Sequence, residues 1–199
     1  EAHYYQHLLS LPGIIYRKNK EIQERISYIE INKQSKEEWK KKLKHFKKPI
    51  IALNWQGNKS YFYDDKRSIK LSHFENILKI NKYDFISLQK NFGYEQIKKN
   101  NFSKFITDLS MDIDNGPNAF EDTISILSNI ETLVTCDTSI AHLAGTLNIK
   151  TYLLLSYNPD WRWYIELKYK CFYPNIKIIQ QDKIDDWNTV FKKLEVELR

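Results

Sequence analysis

From Pro49 onward, short apolar runs alternate with stretches whose apolar positions recur at helical spacing. Residues 50–55 form the first run, Ile-Ile-Ala-Leu-Asn-Trp, as expected of a strand covered on both faces. Leu71, Phe74, Ile77 and Leu78 then follow a helical period. The same reading predicts strands at 84–89, 105–109 (the weakest), 131–136, 150–155 and 176–180. It predicts helices at 94–99, 120–127, 139–147 and 187–198. Strands and helices that alternate in this way build a parallel sheet with helices on both faces. Right-handed crossovers close it as a doubly wound, Rossmann-like α/β domain.

Residues 1–48 follow a different pattern. Ser10-Leu11-Pro12-Gly13 punctuates a short apolar stretch, and residues 26–31 alternate like a brief strand. Residues 35–47 read as a polar helix with Trp39, Leu43 and Phe46 at helical spacing and a capping box from Ser35 to Glu38. Pro49 ends that helix. The stretch holds too few apolar residues for a domain, so the expected organisation is a helical and extended appendage over 1–48 and one domain over 49–199.

In such sheets ligands bind beyond the C-terminal strand ends, where the strand order reverses between the first and fourth strands. Two polar loops meet there: Asn54-Trp55-Gln56-Gly57-Asn58 and Thr135-Cys136-Asp137-Thr138-Ser139. The second runs straight into a helix, so the free amides of Thr138, Ser139 and Ile140 suit a pyrophosphate. Asp137 serves either as an ordinary helix cap or as an acceptor for sugar hydroxyls. His142, one turn in, either points at phosphates or packs in the core. Lys66 and Arg67 stand before the first crossover helix, where two cations would neutralise a diphosphate from the other side. Gly57 permits a close backbone approach. The turn Asn115-Gly116-Pro117-Asn118 precedes the 120–127 helix and would lie beside the fourth strand, and Asn158 to Trp163 is dense in aromatics that stack on a ligand or on a neighbouring domain. Neither a P-loop nor a Gly-x-Gly-x-x-Gly fingerprint is present.

Composition adds little to this picture. The net charge is +6, and lysines cluster in 36–48, where they mix with Glu37, Glu38 and Trp39 and read as a solvated helix face or linker. A basic surface favours phosphates and acidic membrane surfaces; no signature of a nucleic-acid module accompanies it. Cys136 and Cys171 cannot form a disulfide framework and suit reduced, buried thiols of a cytoplasmic protein. No apolar stretch is long enough to span a bilayer, and no secretory leader is visible.

The residues Asp137-Thr138-Ser139-Ile140-Ala141-His142-Leu143-Ala144-Gly145 resemble the Asp-Thr-x-x-x-His-Leu-x-(Gly/Ala) motif of heptosyltransferase-like (family 9-like) glycosyltransferases. The likeness is closer to the glycosyltransferase-like domain that follows tetratricopeptide repeats in bacterial proteins. Leu53 to Asn58, Asp65 to Ser68, Ile86 to Gln89, Phe120 to Thr123 and Pro159 to Trp163 support it in the same order.

That resemblance implies the C-terminal, nucleotide-sugar-binding half of a metal-independent B-type glycosyltransferase, with no cofactor beyond the donor substrate. It implies that Asp137, Thr138, Ser139, Ile140 and His142 hold the diphosphate, with Arg67 and Asn58 beside them. Lys66 would stabilise the leaving nucleotide diphosphate, Gln89 or Glu95 would lie near the ribose, and the Asn118 to Phe120 turn near the base. The acceptor groove and catalytic base belong in relatives to an N-terminal domain, of which Ser10-Leu11-Pro12 looks like the end. On this expectation the chain binds a nucleotide sugar but is incomplete as a catalyst without that domain or a partner chain. The alternatives are a non-catalytic Rossmann-like scaffold and, more remotely, an epimerase of the same two-domain architecture.

Overall fold

The computed structural model describes residues 28–163 and 173–199. The Ser10 to Gly13 turn, Cys171 and the first part of the predicted 26–31 strand lie outside them; residues 28–31 carry no strand.

Six parallel strands make one sheet in the order β3-β2-β1-β4-β5-β6. They are β1 (Ile50–Asn54), β2 (Asp84–Ser87), β3 (Ile106–Asp108), β4 (Thr132–Cys136), β5 (Lys150–Leu155) and β6 (Ile176–Gln180). Chain order reverses between β1 and β4, which pair from Ile51 with Thr132 to Asn54 with Thr135. The doubly wound α/β sheet expected from the sequence is therefore present, with its crevice between those two strands.

Side chains alternate across the strands and build a core on each face. Ile51 and Leu53 of β1 join Trp55, Phe74 and Ile77 on one face. There they meet Val190, Phe191 and Leu194 of the last helix, α7 (Trp187–Leu198). Ile50 and Ala52 turn the other way, towards α5 (Glu121–Leu127) and α6 (Ser139–Thr146). Short helical turns make up the rest: α2 (Asp64–Arg67), α3 (Glu75–Leu78) and α4 (Gln96–Lys99). The predicted 71–78 helix is split, because Leu71–Phe74 is a 3-10 turn that leads into α3.

The first described helix, α1 (Lys33–Leu43), starts earlier than predicted. Its cap is Asn32, whose side chain accepts from the Gln34 and Ser35 amides at 3.0 and 3.2 Å. Ser35 instead meets the Ser125 hydroxyl at 2.8 Å. Trp39 and Leu43 are buried in the α5/α6 core, and the Trp39 indole donates to Asp122 at 2.6 Å. Each such burial stabilises by about 1.5–3 kcal/mol. Although α1 precedes the boundary drawn at Pro49, it completes the layer over this face of the sheet.

Candidate functional site

At the switch point the two strands end in polar residues that bond to one another. Asn54 closes the fully buried β1, with its side-chain oxygen towards β4. That oxygen accepts from the Thr135 hydroxyl at 3.2 Å and from the Thr138 hydroxyl at 2.9 Å. Thr138 is the N-cap residue of α6, and its extended backbone (φ −142°, ψ 171°) suits a cap. Because its hydroxyl is turned to Asn54, it makes no capping bond, and the helix starts without a side-chain cap. The first-turn amides and the positive end of the helix dipole are then available to an anion. Asp137, half-buried, stands just before this turn.

The loop after β1 has spent its polar groups on its own shape. Gln89 is buried, and its oxygen accepts from Asn54, the Trp55 amide and the Gln56 amide at 2.9–3.0 Å. Its amide nitrogen donates to the Gln56 and Phe92 carbonyls at 2.8 and 2.6 Å. Gln89 therefore frames the loop, and a side chain so committed has no bond left for a ribose hydroxyl. Asp64, also buried, accepts from Ser68 at 2.9 Å and from Arg67 at 3.1 Å. Ser68 in turn accepts the Gly57 amide at 3.0 Å. A Cβ on Gly57 would stand 2.5 Å from the Asp64 carboxylate and 2.6 Å from the Arg67 guanidinium, so a larger residue there would displace that ion pair.

Arg67 lies over the Tyr61 ring at 4.5 Å, with its side chain one-quarter exposed. Its charge reaches Cys136 at the end of β4, as do those of Asp137 and Asp64. Burial, with Asp137 next in weight, pushes that thiol far above its usual range, so Cys136 stays a neutral, unreactive thiol. Lys66 sits one residue earlier in α2, exposed and 3.6 Å from Asp65. Asn58 is exposed and accepts the Ser60 amide in a local turn. Glu95 pairs loosely with Lys59 at 3.8 Å, which links the β1 and β2 loops at the surface. Phe120 stands apart, in the left-handed region (φ 63°) at the start of α5. There Asp114 supplies the cap, accepting the Asp122 and Thr123 amides at 2.9 and 3.3 Å.

His142 lies one turn into α6. Its ring stacks on Trp163 at 4.4 Å and its Nδ1 meets the Tyr173 hydroxyl at 3.2 Å. Burial lowers its pKa, Asp137 and Asp160 oppose this, and Arg162 adds to it, so the imidazole is neutral near pH 7. Asp160 and Arg162 form a two-pronged ion pair at 2.7 Å beside it.

The sequence matches no protein-family model, and no curated protein is a significant sequence match. Solved structures do match in fold. ADP-heptose LPS heptosyltransferase II of E. coli superposes with a TM-score of 0.58 at 12% identity, over 85% of this chain and 53% of that one. E. coli heptosyltransferase WaaC, solved with ADP, gives 0.54 at 12% identity over 75% of this chain and 44% of that one. A family 9 glycosyl transferase from Veillonella parvula gives 0.55 at 9% identity over 92% and 50%. The fold is heptosyltransferase-like. The chain spans about half the length of each of these proteins.

Of the residues predicted from sequence, Asp137, Thr138, Ser139, Ile140 and His142 share one turn and the start of one helix, where Ile140 packs into the α5/α6 core and His142 stacks on Trp163. Lys66 shares the β1 loop with Arg67, Glu95 reaches that loop through Lys59, and Phe120 stands at the start of α5. Two residues at the centre, Asn54 and Asp64, were not singled out. Their signal was a polar residue ending an apolar run and an acidic pair beside Gly57, Lys66 and Arg67.

Proposed function

We propose that this domain binds a nucleotide-diphosphate sugar in the β1/β4 crevice, as the donor half of a metal-independent glycosyl transfer. The observation that carries this reading is the uncapped N-terminus of α6, left open because Thr138 bonds Asn54 instead. The diphosphate would sit on those amides, with Arg67 and Lys66 opposite. WaaC, one of the fold relatives, has been solved with ADP and with ADP-2-deoxy-2-fluoro heptose, ligands of this chemical class. In the transfer an acceptor hydroxyl attacks the anomeric carbon, the bond to the diphosphate breaks, and charge accumulates on the departing phosphate oxygens. Dipole and cations fixed around those oxygens lower the barrier. The acceptor groove and its base are assigned to another domain or to a partner chain.

Calorimetric titration of the chain with ADP, UDP, GDP and their sugar conjugates tests this. One nucleotide class should bind; Lys66→Ala should weaken it by roughly tenfold or more, and Asp137→Ala should weaken the sugar conjugates, whose hydroxyls its carboxylate accepts, by roughly as much, the cost of a lost charged hydrogen bond. A folded chain that binds none of them, alone or joined to an upstream domain, would leave a scaffold as the correct reading.

A further inference from the structure

The whole net charge of the protein resides in one short segment. Residues 33–48 hold eight lysines and two glutamates, a net +6, which equals the net charge of the entire chain. The remaining residues carry 23 groups of each sign. In the fold this segment is α1 and the turn after it, and its buried side is fixed by Trp39 and Leu43. Lys33, Lys40, Lys41 and Lys44 are all exposed. Lys33, Lys40 and Lys44 follow i, i+7, i+11 spacing and so form one stripe along the helix.

Nearby carboxylates do not cancel that stripe. Asp122 is taken by the Trp39 indole and the Asp114 amide, and Glu121 by Asn32 and Asn118. Asp84 accepts the Lys47 and Lys48 amides, and Glu38 accepts from Gln34. Glu37 alone among these faces a lysine of the stripe, Lys40, at 3.6 Å between two exposed side chains, where attraction is weak.

We propose that this face of α1 docks the protein on an anionic lipid bilayer. Every cation in the segment is lysine. Mobile ammonium groups suit a diffuse sheet of headgroup charge, whereas phosphate or base recognition in nucleic acid draws on the planar fork of arginine. Four to eight basic residues on a helix match the cluster size that holds proteins to acidic leaflets. The inference is independent of the nucleotide site: α1 lies on α5, away from the Arg67 loop.

Co-sedimentation of the full chain with phosphatidylcholine vesicles, with and without phosphatidylglycerol, reads this directly. Binding is expected to the anionic vesicles only. It should collapse between about 0.1 M and 1 M salt, where the Debye length shrinks from about 10 Å to about 3 Å. Lys33→Gln, Lys40→Gln, Lys41→Gln and Lys44→Gln combined should lower it on the order of a thousandfold. The same charge loss at Lys98, Lys99, Lys104 and Lys192 should change it far less. If the fourfold variant does not fold, as judged by its thermal melt, Lys40→Gln with Lys41→Gln should still give a clear partial loss. Absence of binding to anionic vesicles at low salt would overturn the proposal. So would equal binding by both charge variants, or a DNA duplex binding more tightly than the vesicles.

Discussion

The two loops that meet at the crevice use their polar residues in opposite ways. The β1 loop turns its polar groups inward: Gln89, Asp64 and Ser68 bond its backbone and its arginine, and Gly57 is packed beneath them. The β4–α6 turn leaves its donors open, because its cap hydroxyl is bonded across the crevice to Asn54. One loop is a rigid wall that positions a cation; the other is the electropositive surface that wall faces. Damage to the first should appear mainly as lost stability, and damage to the second mainly as lost affinity.

The largest stability effect is expected at Gln89. Gln89→Ala removes five hydrogen bonds from a buried position and strands the Trp55 and Gln56 amides. Urea unfolding should register a loss of about 3 kcal/mol, since each buried group left unsatisfied costs about 1–3 kcal/mol. A loss below about 1 kcal/mol would mean that water replaces Gln89 and that the wall is not rigid.

Thr138→Asp probes the other loop. A carboxylate at this position can cap the first-turn amides, so stability should change by less than about 1 kcal/mol. The same carboxylate occupies the donors and repels an anion, so nucleotide affinity should fall on the order of tenfold. An unchanged affinity in calorimetry would remove the helix N-terminus from the site.

The acid limb of stability belongs to the second region as well. His142 ordinarily takes a proton near pH 6.5, and burial in the fold lowers that value. The unfolded chain therefore binds more protons as the pH falls below about 6.5. The stability contribution is complete above that pH and is lost as the pH drops towards the folded value. His73 behaves alike, lowered by burial and by Lys70 against a hydrogen bond that the ring donates to Asn188. Asp186, held below its usual 3.8 by the Thr189 hydroxyl and amide, contributes only in a more acidic window. Replacement of His142 by Phe, which keeps a ring against Trp163, should reduce the loss below pH 6.5 in thermal melts to the part that His73 contributes and leave the lower window unchanged. An identical pH profile in the variant would show that His142 titrates normally.

The sequence made the second loop easy to read and the first hard. A strand running into Asp137-Thr138-Ser139 and an amphipathic helix is a local pattern, and local patterns survive without coordinates. The central strands were legible for the same reason, because a sheet covered on both faces needs continuous apolar runs. That Gln89 frames the β1 loop was not legible, because its partners Asn54, Trp55 and Gln56 lie more than thirty residues away. The helical cap at Asn32 was hidden by Ser35 and Glu38, which carry the capping-box pattern but sit inside the helix. Trp39 was visible as one face of a helix, but its partner Asp122 was not.

The smallest expected stability effect is at Lys66, and it separates the two roles most cleanly. Its ammonium is more than half exposed and 3.6 Å from an equally exposed Asp65, an ion pair of the kind that contributes about 0–1 kcal/mol. Lys66→Ala should leave urea unfolding within about 0.5 kcal/mol of wild type. Arg67→Ala, one residue on, uncovers the buried Asp64 carboxylate and should cost distinctly more. If Lys66 is held in the loop for a ligand, the first substitution weakens nucleotide binding without touching stability, whereas the second reduces both. A stability loss at Lys66 equal to that at Arg67 would mean that both cations belong to the wall, and the ligand-facing charge would then have to come from α6 alone.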